Sequence, residues 1–313
     1  MENIPLGKKF FLTIIIAIAI YSTIILLADI QKIYIQLSEF DLKFIPLILL
    51  AIFTSWFILY IRWNILLKKQ NIKIPFKTNI LIYFSGFSFA ISPGKSGEFI
   101  KSIIIKKKLG IKKSTTIPII FLERYFDMIG TAIVASFSIL VIGIHTSSIV
   151  IIVISLFVLI FLIAYKNSFQ LLMKPLKKIS FFSKYASSFE NMQMILKQSQ
   201  TPKTIFTCTS LTIIYRFIEA IGIFLIIISM DVEMLNYLIT ASTYSLSIII
   251  GTISFSPGGL GITEGSFAGL LSLQGLDISQ SFTLAIIVRI FTLWVAVIIG
   301  FISLHLISRK NSV

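Results

Sequence analysis

The sequence predicts an all-α protein that is embedded in a membrane and crosses it several times. Of its 313 residues, 56% are hydrophobic and 13% are charged, and the mean hydropathy is +0.96. Soluble globular domains carry about 25% charged residues, so this composition argues against them. Apolar runs of about 20 residues, the length that crosses a bilayer as a helix, recur along the chain. We therefore expect residues 1–313 to form a single membrane domain.

Six of the apolar runs are predicted to be full spans. They cover residues 10–28, 44–67, 116–143, 149–165, 204–230 and 279–307. The first run follows Lys8 and Lys9, as in a signal peptide, but it is longer than the apolar core of one. No small-residue cleavage site follows it, so we expect this span to be retained.

The distribution of lysine predicts how the spans are oriented. The connection 166–203 contains seven lysines against Glu190 alone, and cytoplasmic connections are enriched in Lys and Arg. This rule places both termini on the cytoplasmic side of the cytoplasmic membrane. It also accounts for the formal net charge of +15, so nucleic acid is not an expected partner. Aromatic residues at helical spacing in this connection favour a helix on the membrane surface, with an ordinary linker as the alternative.

Proline and glycine interrupt the apolar pattern of residues 78–105. The break reads Ser-Pro-Gly-Lys-Ser-Gly-Glu from Ser92 to Glu98, and lysines flank the segment on both sides. Both ends should therefore face the cytoplasm. Each arm has about 14 residues, or about 21 Å of helix, whereas the hydrocarbon core measures about 30 Å. The segment is predicted to be a re-entrant hairpin, because two full spans do not fit.

A second break, Ser-Pro-Gly-Gly-Leu-Gly from Ser256 to Gly261, interrupts residues 237–276. No Lys or Arg occurs between Arg216 and Arg289, which places both ends of this segment on the external side. Its arms of about 19 and 17 residues are almost long enough to cross, so two short spans are an alternative to a hairpin. The expected tip residues are Ser92, Pro93, Gly94 and Gly97 in the first segment, and Ser256, Pro257, Gly258 and Gly261 in the second.

The order of spans and breaks repeats in the two halves, 1–147 and 148–313. The Ser-Pro-Gly copies differ in position by 164 residues (92 and 256), and Arg124 and Arg289 in the following spans differ by 165. The first half begins in the cytoplasm and the second begins outside, so the repeats are predicted to be inverted. Transporters built this way bind their substrate near the bilayer midplane, between the halves.

Charged residues within the apolar spans need a structural or functional explanation, because placing each one in the bilayer costs about 2.5–3.5 kcal/mol. Arg124 and Asp127 lie three residues apart, as do Arg216 and Glu219. This spacing allows self-neutralised pairs that fix helix packing. Arg62 lies near the cytoplasmic end of its span, so the favoured interpretation is that its side chain extends to the surface.

Two further cations lie close to the breaks. Arg289 has no acidic residue within one helical turn, and its permanent charge needs an anion, either Glu264 or a lipid phosphate. Lys95 lies beside the first tip, where it either reaches the cytoplasmic surface or meets a ligand. Helix ends near Lys and Arg suit a bound phosphate. The candidate substrate-binding residues are therefore Lys95, Arg124, Arg216 and Arg289. Those that would balance their charge or carry a proton are Glu98, Glu123, Asp127, Glu219 and Glu264.

Residues for metal binding, redox chemistry or catalysis are sparse. The chain has one cysteine, Cys208, and its two histidines, His145 and His305, are far apart in sequence, so no metal site is expected. There is no nucleotide-binding Walker motif and no His/Asp cluster for phosphoryl transfer. We expect neither a cofactor nor an enzymatic activity.

Several of these motifs together carry a family resemblance. The residues concerned are Pro93 to Glu98 with Lys101, Glu123 and Arg124 with Asp127, and Pro257 to Gly261 with Glu264. In this order they resemble the lysylphosphatidylglycerol synthase transmembrane (flippase-like) family over essentially the whole chain. The resemblance implies lipid translocation by a stand-alone membrane region without the soluble aminoacyltransferase domain. It also implies membrane lipids as partners, alongside a separate lipid-modifying enzyme. Ile262-Thr263 departs from the pattern, since many relatives carry a basic residue before the glutamate.

The sequence thus favours translocation of an anionic phospholipid or a lipid-linked phosphate at a site between two inverted repeats. Two alternatives stay open: a secondary transporter of a small soluble anion, and a membrane enzyme that acts on a lipid phosphate. An apolar surface that opens sideways beside the charged residues would favour a lipid. A sealed polar cavity would favour a soluble anion.

Overall fold

The computed structural model describes residues 35, 38–92, 97–142, 201–232 and 234–309. The predicted spans 10–28 and 149–165 lie outside the described residues, as does most of the connection 166–203. The same holds for the tip residues Pro93 and Gly94 and for the candidate binding residue Lys95. Within the described ranges the chain is helical and contains no β-strand. The predicted all-α fold is therefore confirmed.

Eight α-helices make up the described part of the chain. They are α1 (Ile45–Lys69), α2 (Phe76–Ser85), α3 (Ile100–Leu109), α4 (Lys113–Ile142), α5 (Pro202–Ile228), α6 (Tyr237–Ile253), α7 (Ile262–Ser272) and α8 (Ile278–Arg309). Short 3₁₀ turns cover Leu42–Phe44, Gly86–Phe89 and Pro257–Gly259, and a π-helical stretch, Ile290–Trp294, interrupts α8.

Three stretches are long and apolar enough to cross a membrane: Leu42–Lys69, Pro202–Ile228 and Ile278–Arg309. They coincide with three of the predicted spans. Helix α4, at 30 residues, covers a fourth and carries the charged residues expected within it. The chain is thus an integral membrane protein with several crossings. The number of crossings and the cytoplasmic position of the termini stay predictions.

Local chemistry sets where several helices begin and end. The side chains of Thr201, Asn236 and Asp277 accept hydrogen bonds from backbone N–H groups in the first turns of α5, α6 and α8. These N–H groups have no partner within the helix, so such caps stabilise its start. Gly110 ends α3 in the left-handed conformation (φ 68°), where glycine carries no steric penalty.

Each break segment consists of two helical arms that are short for a bilayer. In the first segment, α2 and α3 have 10 residues each, or about 15 Å. In the second, α6 has 17 residues and α7 only 11, so α7 extends about 17 Å against a core of about 30 Å. The short second arm favours the re-entrant alternative for residues 237–276.

The helices pack in a reciprocal pattern. Helix α1 lies along α5, α2 packs against the C-terminal part of α8, and α6 packs against α4. The first arm of each break segment therefore contacts the long helix that follows the other break segment. Gly300 of α8 allows one of these contacts, because a Cβ there would collide with the backbone at Phe87 and Ser88. This reciprocity is what two repeats predict, and their opposite orientation in the bilayer stays a prediction.

The two break segments meet at their tips. Gly258 lies against Ile91, so close that a Cβ on Gly258 would be 3.0 Å from the Cα of Ile91. Ile91 also packs with Leu260, Leu293 and Val297 in a small buried apolar cluster. In the first tip, Gly97 N donates a hydrogen bond to Ser92 Oγ. The second tip, Ser256–Gly261, thus closes directly onto the first break segment.

Candidate functional site

Six charged side chains form a buried network between α1, α3 and α4, which we call the first ion cluster. Its members are Arg62, Glu98, Lys101, Glu123, Arg124 and Asp127. Three are cations and three are carboxylates, so the formal charges of these six residues sum to zero. Arg62 lies on α1, Lys101 lies on α3, and Glu98 lies in the turn just before α3, whereas the other three lie on α4. The first break segment thus brings two charges, Glu98 and Lys101, against α4.

Lys101 lies at the centre of the first ion cluster. Its Nζ is 2.6 Å from Glu123 Oε2 and 3.3 Å from Glu98 Oε2. The same Nζ lies 4.7 Å from the ring centroid of Trp63 and 5.3 Å from that of Tyr83. The side chain is only 2% exposed. A buried ammonium is tolerated only when it is paired, and here two carboxylates and two aromatic faces stabilise it.

Arg62 does not extend to the surface, so that prediction was wrong. Its side chain is 0% exposed, and its Nη1 lies 2.6 Å from Asp127 Oδ1 and donates a hydrogen bond to Thr212 Oγ1. The physical reason is that α4 presents a carboxylate at the level of Arg62. Pairing with it removes the need to reach water, and α5 supplies a second acceptor.

Arg124 is the cation of the first ion cluster that is accessible from outside the protein. Its Nη2 lies 2.9 Å from Asp127 Oδ2 and 3.1 Å from Glu98 Oε2, yet its side chain is 27% exposed. One turn earlier on the same face of α4, Phe121 is 42% exposed and its ring contacts that of Phe99. The accessible edge of the cluster is therefore bordered by apolar, aromatic surface.

Several buried N–H groups of the cluster are available for further acceptors. Among the described residues, Arg62 Nε, Arg62 Nη2 and Arg124 Nε have no hydrogen-bond acceptor. Guanidinium groups present up to five donors in a planar fork that matches the oxygens of a phosphate or a carboxylate. A buried donor without an acceptor is unfavourable, so the cluster can accommodate additional anionic oxygens.

Arg216 and Glu219 form the self-neutralised pair that their spacing allows. Arg216 Nη1 lies 2.6 Å from Glu219 Oε2, and both side chains are buried. Arg216 Nε donates to Thr131 Oγ1 of α4, and the Tyr215 hydroxyl donates to Glu219 Oε1. This pair therefore also fixes α5 against α4.

Arg289 finds its anion in Glu264, the first of the two alternatives that the sequence left open. The two atoms Arg289 Nε and Glu264 Oε1 are 2.8 Å apart, and Arg289 Nη2 donates to the carbonyl oxygen of Gly258 at 2.6 Å. Arg289 immediately precedes the π-helical stretch of α8. It thereby ties the second tip to α8.

The structure distributes the predicted cations over three groups. Arg124, Arg216 and Arg289 each have their own carboxylates, and the described residues contain no ion pair that joins these groups. The predicted carboxylates all take part: Glu98, Glu123, Asp127, Glu219 and Glu264.

Sequence reasoning did not assign a site role to Arg62 or Lys101. Lys101 carried a detectable signal, because it lies three residues after Glu98 and so on the same helical face. Arg62 carried no such signal, since its partner is 65 positions away, at Asp127. Within the described residues, no group of His, Cys, Asp or Glu side chains could hold a metal ion.

Comparison with known proteins relates the chain to a family of membrane proteins. The sequence model of the lysylphosphatidylglycerol synthase TM region matches residues 14–300. The chain is 26% identical to a UPF0104 membrane protein of Pyrococcus horikoshii, over 93% of this chain and 95% of that protein. It is 27% identical to a UPF0104 membrane protein of Methanocaldococcus jannaschii, over 72% of this chain and 95% of that protein.

Proposed function

Because the chain belongs to the lysylphosphatidylglycerol synthase TM region family, we propose that it moves an anionic lipid across the cytoplasmic membrane. The lipid carries a phosphate in its headgroup, as in an anionic phospholipid or a lipid-linked phosphate. One observation supports this proposal above all. The first ion cluster holds buried guanidinium N–H groups that have no acceptor among the described residues, and one of them, Arg124 Nε, belongs to the side chain that opens onto apolar surface.

The depth of Arg124 in the bilayer, measured along α4, also supports a lipid-binding role for this residue. Arg124 lies about 16 Å from Lys113 at 1.5 Å per residue, which is about half of a hydrocarbon core of about 30 Å. In this proposal the phosphate passes Arg124 near the midplane and accepts hydrogen bonds from its Nε. The acyl chains stay in the bilayer, against exposed apolar side chains such as Phe121.

In this proposal, the contact between the two break segments is the barrier that blocks the path of the headgroup. Gly258 and Ile91 touch, and Arg289 holds Gly258 through its carbonyl oxygen. For a headgroup to pass between the halves, this contact must open. The two segments then act as half-membrane gates that face opposite sides of the cytoplasmic membrane, with both termini in the cytoplasm.

In this proposal the protein makes or breaks no covalent bond of the lipid. Each carboxylate of the site is paired with an arginine or lysine, which suits charge balance better than acid–base catalysis. Its partners are membrane lipids, and a separate enzyme would supply the modified or linked lipid. The printed names of the two relatives state only that they are membrane proteins.

Reconstitution tests the proposed function. The purified full chain is placed in liposomes whose outer leaflet holds fluorescent phosphatidylglycerol, and the label is bleached from outside at intervals. We expect the label to reach the inner leaflet faster than in empty liposomes. Parallel vesicles measure uptake of inorganic phosphate. Phosphate uptake without lipid movement would replace this proposal by the soluble-anion transporter, and no movement of either would contradict both.

A further inference from the structure

Arg62 presents two buried donors along one edge of its guanidinium group. Its Nε and Nη2 have no hydrogen-bond acceptor among the described residues, and its side chain is 0% exposed. In an arginine these two groups point in the same direction and form a fork that matches two oxygens of one phosphate or carboxylate. A buried N–H group without an acceptor is unfavourable, so this edge of Arg62 needs an anionic oxygen or a water molecule.

The other side of the Arg62 guanidinium group is held in place by two helices. Its Nη1 lies 2.6 Å from Asp127 Oδ1 of α4 and donates a hydrogen bond to Thr212 Oγ1 of α5 at 2.6 Å. The Thr212 hydroxyl in turn donates to the carbonyl oxygen of Cys208. These contacts fix the plane of the guanidinium group, so the Nε–Nη2 edge keeps one direction. A donor pair that is fixed before a ligand arrives loses less conformational freedom on binding.

Arg289 shows the same edge when the protein itself supplies the acceptors. Its Nε donates to Glu264 Oε1 at 2.8 Å, and its Nη2 donates to the carbonyl oxygen of Gly258 at 2.6 Å. The two arginines are similarly buried, because the side chains of Arg289 and Arg62 are 6% and 0% exposed. Burial alone therefore does not explain why the Arg62 edge lacks acceptors in the described ranges. The comparison indicates that this edge is kept for a ligand.

The Arg62 edge lies close to the accessible cation of the first ion cluster. Asp127 Oδ1 contacts Arg62, and Asp127 Oδ2 lies 2.9 Å from Arg124 Nη2, so one carboxylate bridges the two guanidinium groups. Arg124 is 27% exposed, and its Nε also has no acceptor within the described part of the chain. A phosphate that binds Arg124 at the apolar edge therefore has a second arginine nearby. Because Arg62 is fully buried, the phosphate reaches it only when side chains or helices around the cluster move.

We propose that Arg62 is the inner phosphate ligand of the site. Its Nε and Nη2 bind two oxygens of the headgroup phosphate after Arg124 has bound that phosphate at the accessible edge. This inference rests on the proposed function, and the group that is recognised is the phosphate itself. Neither arginine gives up its contact with Asp127, because the proposed hydrogen bonds use only the nitrogen atoms without acceptors.

Nuclear magnetic resonance of the arginine Nε–H groups tests this inference, because it observes each fork separately. The arginines of the chain are Arg62, Arg124, Arg216, Arg289 and Arg309, so protein labelled with ¹⁵N-arginine gives few signals, and Arg→Lys variants assign them. The full chain in a phosphate-free detergent is titrated with short-chain phosphatidylglycerol. Diacylglycerol of the same chain length is the control without a phosphate. We expect the Hε proton of Arg62 to move downfield with phosphatidylglycerol alone, while that of Arg289 stays in place.

Arg62→Lys separates the fork from the charge. Lysine keeps a cation beside Asp127 but has no pair of parallel donors. We expect phosphatidylglycerol translocation in liposomes to be at least about tenfold slower, the factor for one lost hydrogen bond to a charged group. Arg309→Lys makes the same exchange at an exposed position outside the cluster and should translocate lipid as the wild type does. The titration of the wild-type protein decides the matter even when Arg62→Lys does not fold.

The outcomes distinguish this inference from the function on which it rests. No shift at Arg62, with or without one at Arg124, means that water satisfies the Arg62 donors and overturns the inference. A folded Arg62→Lys protein with the wild-type rate overturns it as well, and both results leave translocation standing. Inorganic phosphate is titrated in parallel, and a shift at Arg62 with this probe alone keeps the phosphate site and overturns the lipid as its ligand. Label that never crosses faster than in empty liposomes overturns the proposed function.

Discussion

The two halves of the chain place the same ion pair in different surroundings. In the first half, Glu98 of the break segment pairs with Arg124 of the following helix, and in the second half Glu264 pairs with Arg289 in the same way. The glutamates differ in position by 166 and the arginines by 165. The first pair belongs to a cluster of six charges, whereas Arg289 donates hydrogen bonds to Glu264 and to the carbonyl oxygen of Gly258.

The two halves also differ at Lys101 and at its counterpart in the second half. A shift of 166, the separation of the two glutamates, takes Lys101 to Phe267. Lys101 contacts the rings of Trp63 and Tyr83, and Phe267 contacts the ring of Tyr244 edge to face. The aromatic surroundings are similar and the charge is present only in the first half. Within the proposed translocation, we therefore assign headgroup binding to the first half and closure of the path to the second half.

The largest effect that this division predicts is at Lys101. In Lys101→Met, Glu98 and Glu123 lose a shared counter-ion in a buried place, which costs about 3–5 kcal/mol for a broken buried ion pair. We expect a large fall in the thermal unfolding temperature of the protein in detergent. Lys106→Met, on the exposed side of the same helix, should leave it unchanged. Equal effects of the two variants would show that the cluster does not stabilise the first half.

The next effect concerns the contact between the halves. Gly300→Ala places a methyl group against the backbone at Phe87 and Ser88, and such overpacking costs about 1–3 kcal/mol. The same assay measures it. Gly269→Ala, where a Cβ meets nothing within 4 Å, is the matched control and should be neutral or stabilising, since alanine favours a helix interior. A Gly300→Ala protein as stable as the control would contradict this packing of α8 on the first break segment.

A smaller effect is predicted at the second tip. Gly258 has a φ of 62° and touches Ile91, so Gly258→Ala forces a side chain into the left-handed region at about 1–2 kcal/mol. Because the strain lies in the closed contact, we expect lipid to cross faster in liposomes while the stability falls slightly. Gly265→Ala in α7, with open space around its Cβ, should leave the rate unchanged. A slower rate in Gly258→Ala would argue that this contact does not close the path.

Sequence reasoning succeeded where local patterns decide the outcome. Apolar length predicted 44–67, 116–143, 204–230 and 279–307, and the corresponding helices begin and end within three residues of those limits. Hydropathy and helix periodicity are local properties, so a single sequence contains them. The Ser-Pro-Gly motifs likewise marked both breaks.

Partner choice between distant helices is what the sequence did not contain. Arg62 pairs with Asp127 on another helix, and only the packing of α1 against α4 brings them together. Arg289 showed the intermediate case: its need for an anion was predictable, and its partner was one of two named candidates. The roles of the site residues, and the opposite orientation of the halves in the bilayer, stay predictions.

Arg124 tests the central claim most directly, because it is the accessible cation of the first ion cluster. The measurement is the rate of phosphatidylglycerol translocation in liposomes that contain Arg124→Gln, Arg124→Lys or wild type. Hydrogen bonds to charged groups contribute about 1.5–3 kcal/mol, so we expect Arg124→Gln to be at least about tenfold slower. Arg124→Lys keeps the charge and should recover part of the rate. Wild-type rates in Arg124→Gln would contradict the claim that the lipid phosphate binds at Arg124.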